Sequence, residues 1–150
     1  MFRFVLPVLW VGLLSGIVRP AEAQQADPPK GALRDNVPNP FFPATTIPFV
    51  INEEACRRDH KPVVSLRVYN VLVQVVGVPV LRSGNDEPLE DLPLDCGEHV
   101  AWWDGMLLDG REVTSGVYYY QLLIDGERVS TRKMIVRKEV RTDRSAGGGG

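Results

Sequence analysis

A chain of 150 residues with a net charge of −2 is long enough for one domain and lacks the basic balance that nucleic-acid binding rests on. Two histidines and two cysteines leave little material for a nucleophile, its base and an orienting group. With 12 prolines and 14 glycines, the chain is punctuated by turns rather than built for long helices.

The N-terminus has three successive parts. Met1-Phe2-Arg3 carries one positive charge, residues 4–18 are apolar apart from one serine, and Ala21-Glu22-Ala23 follows. That order is expected of a secretory signal peptide over residues 1–23, cleaved after Ala23. The alternative is a retained anchor, but a membrane span wants about 20 apolar residues.

Residues 24–43 (QQADPPKGALRDNVPNPFFP) hold five prolines. Proline removes a backbone donor and is kept out of helix interiors and central strands. The segment reads as an extended arm, free to act as a linker or to lie along a partner. Residues 44–140 then carry the sandwich pattern. Thr45–Ile51 is β-rich, and Pro48 restricts it to an edge or irregular strand. Val63–Tyr69 alternates, with Val64, Leu66 and Val68 on one face, so it is a half-buried strand. Val71–Leu81 is a second β-branched run. Residues 82–97 form an acidic loop in which Leu89, Leu92 and Leu94 act as pins. Glu98–Trp103 is a short strand. Val117–Ile124 turns Tyr118, Tyr120, Leu122 and Ile124 to one face, and Asp125-Gly126 is a two-residue hairpin signal that brings Arg128–Arg137 back as the last strand. Residues 141–150, ending in four glycines, read as a disordered tail. About six to eight short strands with turns between them predict an all-β sandwich.

Cys56 and Cys96 are the only cysteines. Export places them where disulfides form, so they are expected to pair and to close a loop of about 40 residues. A second arrangement is a structural zinc site of Cys56, His60, Cys96 and His99.

Several motifs occur together and in order. Asn39-Pro40-Phe41-Phe42-Pro43-Ala44-Thr45-Thr46-Ile47 is similar to an N-P-F-N-P-x-T-x-I opening. Leu66-Arg67-Val68-Tyr69-Asn70-Val71 resembles L-x-V-Y-D-V. Gly97-Glu98-His99-Val100-Ala101-Trp102-Trp103-Asp104-Gly105 matches G-x-H-x-x-x-W-D-G, and residues 109–120 (DGREVTSGVYYY) match d-G-r-x-V-x-S-G-x-Y-x-Y. Over residues 38–138 the chain thus resembles the bacterial immunoglobulin-like modules related to the flagellar hook-capping protein, which also serve as C-terminal sorting tails. The resemblance implies an immunoglobulin-like or fibronectin-III-like sandwich and a structural role for His99. The segments a hook-capping protein needs for assembly, and the cargo that precedes a sorting tail, are not in this sequence.

No catalytic signature stands out: there is no G-x-S-x-G, H-E-x-x-H or phosphate loop. The acidic pairs Glu53-Glu54 and Asp86-Glu87 read as solvated loop charges. The sequence therefore points to no enzyme, no cofactor, no metal, no small-molecule substrate and no nucleic-acid partner. Its departures from the family are apolar. Phe42 stands where asparagine is usual, Val73 where a turn glycine is usual, and Met106-Leu107-Leu108 where polar residues are usual. Trp102 should face away from Trp103. Phe42, Trp102, Met106, Leu107 and Leu108 are thus the candidate partner contacts. Arg132, Lys133, Arg137 and Lys138 form a candidate basic edge that discourages strand pairing or meets an acidic partner or lipid headgroups. The expectation is an exported accessory subunit, in the periplasm or on the outer-facing side of a membrane, that docks on a larger envelope or membrane complex, with peripheral membrane contact as an added feature. A surface-sorting or adhesion module is the alternative.

Overall fold

The computed structural model describes residues 27–139; the signal segment and the glycine-rich tail lie outside the described residues. Ten strands form two five-stranded, all-antiparallel sheets. They are β1 (Gly31–Leu33), β2 (Thr45–Ile51), β3 (Val63–Tyr69), β4 (Val75–Gly77), β5 (Val80–Leu81), β6 (Glu87–Pro88), β7 (Leu92–Pro93), β8 (Gly97–Trp103), β9 (Gly116–Ile124) and β10 (Glu127–Val136). The first sheet has the order β1-β2-β8-β5-β6, the second β10-β9-β3-β4, with β7 also paired to β3. The fold is the expected all-β sandwich. The strand number exceeds the expected six to eight because β5, β6 and β7 are two-residue pieces of the run after Gly77 and of the acidic loop.

The period of two becomes the core directly. Val64, Leu66 and Val68 from β3 meet Tyr120, Leu122 and Ile124 from β9, all fully buried. Ile47, Phe49 and Ile51 close over them from β2. Trp103 sits among them, its ring 5.8 Å from Phe41 and 6.3 Å from Tyr118. Its indole N–H donates to the carbonyl of Met106 at 3.1 Å, so this large side chain is buried without an orphaned donor. Gly77 lies against that indole, where a Cβ would come within 2.9 Å. Leu89 and Leu94 pin the acidic loop to the core as expected. Asp125 and Gly126 are both left-handed (φ 53° and 78°), the conformation that a tight hairpin between β9 and β10 requires.

Two expectations fail here, for one reason. β2 is not an edge, since it lies between β1 and β8, and the arm is not free, since residues 31–33 within it form β1. Pro48 is tolerated because its missing N–H falls where β1 ends. The Arg34 N–H donates to the Pro48 carbonyl at 2.9 Å, but proline cannot return that bond. The Tyr120 hydroxyl crosses from the other sheet and donates instead to the Arg34 carbonyl at 2.8 Å, while accepting the Asn36 N–H at 3.1 Å. Beyond this point Val37 bridges Thr46, and Phe41, buried in the core, bridges Val136 in parallel. The arm's partner is therefore the edge of its own sandwich.

Cys56 and Cys96 are bridged, with Cα atoms 6.1 Å apart. This overturns the zinc alternative, because neither sulfur is a free thiolate. Its two histidines are engaged elsewhere: His60 faces the Asp125 carboxylate at 3.1 Å, and His99 stacks on Phe49 with centroids 5.3 Å apart. A disulfide of this kind belongs to an oxidising, exported setting. Among the described residues no helix is long and apolar enough to cross a membrane.

The bridge spans 40 residues, and loop-closure entropy assigns it about 4 kcal/mol. Urea unfolding with and without reductant should differ by an amount approaching that value; a difference below about 1 kcal/mol would show that the reduced chain is held by other means. Tyr120→Phe should lower stability by about 1–3 kcal/mol, since it strips a buried carbonyl and a buried N–H of their partner. Burial raises the Tyr120 pKa, against the pull of the Asn36 N–H and the Arg132 charge. A raised phenol stabilises the fold below the unfolded value and loses that contribution as pH climbs from about 10 through the folded value. The wild type should therefore lose stability in that alkaline window more steeply than Tyr120→Phe, as read from unfolding midpoints across the pH series.

Candidate interaction surface

The two ends of the sandwich differ in character. One end gathers the turns at residues 52–62, 94–97 and 125–126. It holds the disulfide and the ion pairs of Lys30 with Glu127, Glu54 with Arg57, and Lys61 with Asp95. Here burial opposes ionisation of Asp125, but the Val63 N–H and His60 outweigh it and hold the carboxyl below its ordinary value. The opposite end gathers the turns at 37–44, 70–74 and 104–115. Apart from Val63 and Val100, the large apolar side chains left exposed among the described residues lie at this second end or on the strand ends beside it.

The candidate contacts divide between that end and one sheet face. Phe42 is 40% exposed, with the Lys138 ammonium 5.0 Å from its ring centre. It edges an open groove of about 820 Å³ shared with Pro38, Pro40 and Arg137. Met106 and Leu108 are exposed. Leu107 is half-buried: its N–H donates across the loop to the Arg111 carbonyl, and its side chain packs against the core while lining a groove with Leu108. Gly105 permits this loop: it is left-handed (φ 77°), and a Cβ there would collide with the carbonyl oxygen of Pro43.

Trp102 does face away from Trp103. It lies half-buried on the outer face of the first sheet, under the Arg82 guanidinium at 4.5 Å. Strand register sets it in a row: Val37 opposite Thr46, Thr46 opposite Trp102, Trp102 opposite Val80, and Val80 opposite Pro88. The next row pairs Pro48 with Val100. An exposed sheet face is ordinarily polar, whereas this one carries apolar residues from five segments, Val37, Pro48, Trp102, Val80 and Pro88, with Thr46 as the polar member of the first row. It is bordered by the ion pairs of Arg34 with Glu98 and Arg82 with Asp86. An apolar centre within a charged rim is the anatomy of an interface.

The basic edge does not act as one unit. Arg132 donates to the Leu33 carbonyl at 2.7 Å and pairs with Asp35, so it staples the arm. Lys138 pairs with Glu112 at 2.6 Å. Lys133 and Arg137 form no ion pair among the described residues. The C-terminal end of the β10 edge is covered, since the Phe41 N–H donates to the Ile135 carbonyl and the Arg137 N–H to the Phe41 carbonyl.

Two contributors were not among the candidate contacts, although the sequence had already marked Val73 as an apolar departure. On the outer face of the second sheet, Tyr119 stands opposite Lys133 and Tyr69, and Tyr69 opposite Val75. The alternation that buries Tyr118 and Tyr120 already turns Tyr119 outward. The other contributor is the β3–β4 turn. Val71, Leu72 and Val73 are 66%, 73% and 78% exposed, and Val73 is left-handed at φ 60°. A β-branched residue there is strained, by roughly 1–2 kcal/mol.

No protein-family model matches the chain, and no curated protein matches it. A solved structure that does match is that of the Pseudomonas fluorescens alkylpurine DNA glycosylase AlkC bound to DNA containing an abasic site analog. The two are 11% identical, with a TM-score of 0.41; the match covers 73% of this chain and 31% of that one. The chain thus spans about a third of that protein's length. The sequence pointed away from an enzyme and from a nucleic-acid partner, and this neighbour is an enzyme held on DNA. Both exclusions are withdrawn as findings. A likeness at this TM-score carries no argument for either activity in this chain.

Val73→Gly should relieve the left-handed strain. The gain, reduced by glycine's greater freedom in the unfolded chain, is about 0.5–1 kcal/mol, or several degrees in Tm by calorimetry. A fall in Tm would show that the valine side chain is held by contacts that outweigh its backbone strain.

Proposed function

We propose that this protein is an exported immunoglobulin-like docking module. It attaches as an accessory subunit to a larger protein complex of the cell envelope, in the periplasm or on the outer-facing side of a membrane. The reading rests on the signal-peptide pattern of residues 1–23, on the disulfide, and on the resemblance to hook-capping-related modules. One observation carries it: the outer face of the first sheet is apolar where a lone sandwich would be polar. Trp102 sits at the centre of that face, and tryptophan is the residue most often found at the energetic centre of an interface. The Arg34–Glu98 and Arg82–Asp86 pairs supply a rim that stays solvated while the centre is covered.

Strand addition is disfavoured as the docking mode. The C-terminal end of the β10 edge is closed by the arm, and on the β4 edge the Val76 carbonyl is already taken by the Leu108 N–H at 2.9 Å. Recognition then falls to side chains on the sheet face, with Phe42 at the adjoining corner. Gentle detergent extraction from native membranes followed by native gels should place the protein in a high-mass band. Trp102→Asp should release it to the mass of the isolated protein while leaving its unfolding midpoint within about 1 kcal/mol of wild type. A wild-type protein that never migrates above its isolated mass would overturn the reading.

A further inference from the structure

The β3–β4 turn combines features that exposure alone does not explain. Three consecutive apolar side chains project from it, and one is held in a strained backbone conformation. Four of its backbone N–H groups, those of Asn70, Leu72, Val73 and Gln74, are by contrast satisfied within the turn. The Asn70 Oδ1 accepts the Leu72 and Gln74 N–H groups, each at 3.0 Å. The Val73 N–H donates to the Asn70 carbonyl at 3.0 Å, and the Asn70 N–H to the Gln74 carbonyl at 3.1 Å. Such a turn can leave water without stranding those donors, so its burial is not opposed by their desolvation.

Beside this knob lies a hole. A groove of about 410 Å³ begins at the turn's own flanks, Asn70 and Gln74, and runs between Val75 and Val76 on one side and Leu107 and Leu108 on the other. Knob and groove share one end of the sandwich, and Asn70 and Gln74 belong to both. A two-fold axis through that end brings each knob to the other copy's groove, and the contact closes on itself.

Charge selects the same occupant. The groove is edged by Asp109 and Arg111, paired within the copy at 2.6 Å. A patch carrying one acid and one base is self-complementary across a two-fold, because Arg111 of either copy can face Asp109 of the other. An anionic lipid surface would instead favour a surplus of cations. At this end Arg111 and Lys138 are already matched by Asp109 and Glu112, which leaves Arg137 as a lone cation beside Phe42 and not a surplus cluster.

We propose that two copies of this chain associate end to end, Val71–Val73 of each seated in the groove beside Leu108 of the other. This surface is separate from the Trp102 face, so the dimer and the docking reading stand or fall independently.

Sedimentation velocity of the purified exported chain over a concentration series tests it. A reversible dimer with a dissociation constant of roughly 1–100 µM is expected, the range of a modest interface. Leu72→Asp should weaken association at least about 30-fold, as loss of an interface anchor does, with the thermal unfolding midpoint kept. Trp102→Asp should leave association unchanged. A wild type that stays monomeric up to about 1 mM overturns the proposal, as does a dimer indifferent to Leu72→Asp but broken by Trp102→Asp. A monomer that instead floats with phosphatidylglycerol vesicles, and loses this with Leu72→Asp, also overturns it and gives the turn to lipid.

Discussion

The bond that proline cannot make organises one whole side of this sandwich. Pro48 sits in an interior strand, and its ring leaves the Arg34 carbonyl without the donor that any other residue would have supplied. Tyr120 answers from the opposite sheet, its ring filling the core and its hydroxyl serving both Arg34 and Asn36. This fixes the arm where β1 ends. From there the chain turns through Val37, buries Phe41 beside Trp103, and lies along the end of β10. Arg132 repeats the connection from the second sheet by binding the Leu33 carbonyl. Arm, β10 edge and core are thus joined through a few hydrogen-bonded groups, with the buried Asn36 Oδ1 as the one side-chain acceptor left without a partner among the described residues.

Much of this was legible in the sequence, and the exceptions share a cause. Alternation in Val63–Tyr69 and Val117–Ile124, and the Asp125-Gly126 turn, are local signals, and each formed as read. The cysteine pairing followed from there being two cysteines in a chain whose N-terminus reads as an export signal. Pro48 was misread because the rule that excludes proline from interior strands concerns a donor, and whether that donor is missed depends on a segment a dozen residues away. The same limit applies to Phe41 and Phe42. Both are apolar and adjacent, and only the path of the arm decides which becomes core and which stays at the surface. Leu107 differs from Leu108 for the same kind of reason: a loop hydrogen bond turns one inward. The apolar face around Trp102 draws on five segments, so no single window of sequence displays it.

The placement of polarity is the fold's clearest functional statement. Turns at one end hold the disulfide, ion pairs and a charged 3₁₀ segment, Glu53–Asp59, all suited to water. Turns at the other end hold apolar residues, in one case at the expense of backbone comfort. Strain of that kind persists where the surrounding structure imposes it, and it gathers at sites that bind or switch. Glycine at position 73, which the resemblance leads one to expect, would have removed both the strain and the apolar side chain.

The chain's route also fixes how the domain would carry a load. It enters beside Lys30, at the charged end, and its last described strand finishes at Val136, at the apolar end. Tension between those two points runs along the strands, not across them. The β1–β2 and β9–β10 ladders would then be loaded in shear, with many hydrogen bonds resisting together, and could not be unzipped one bond at a time. Anything joined before residue 27 and after residue 139 is therefore separated by a stiff element about one strand long.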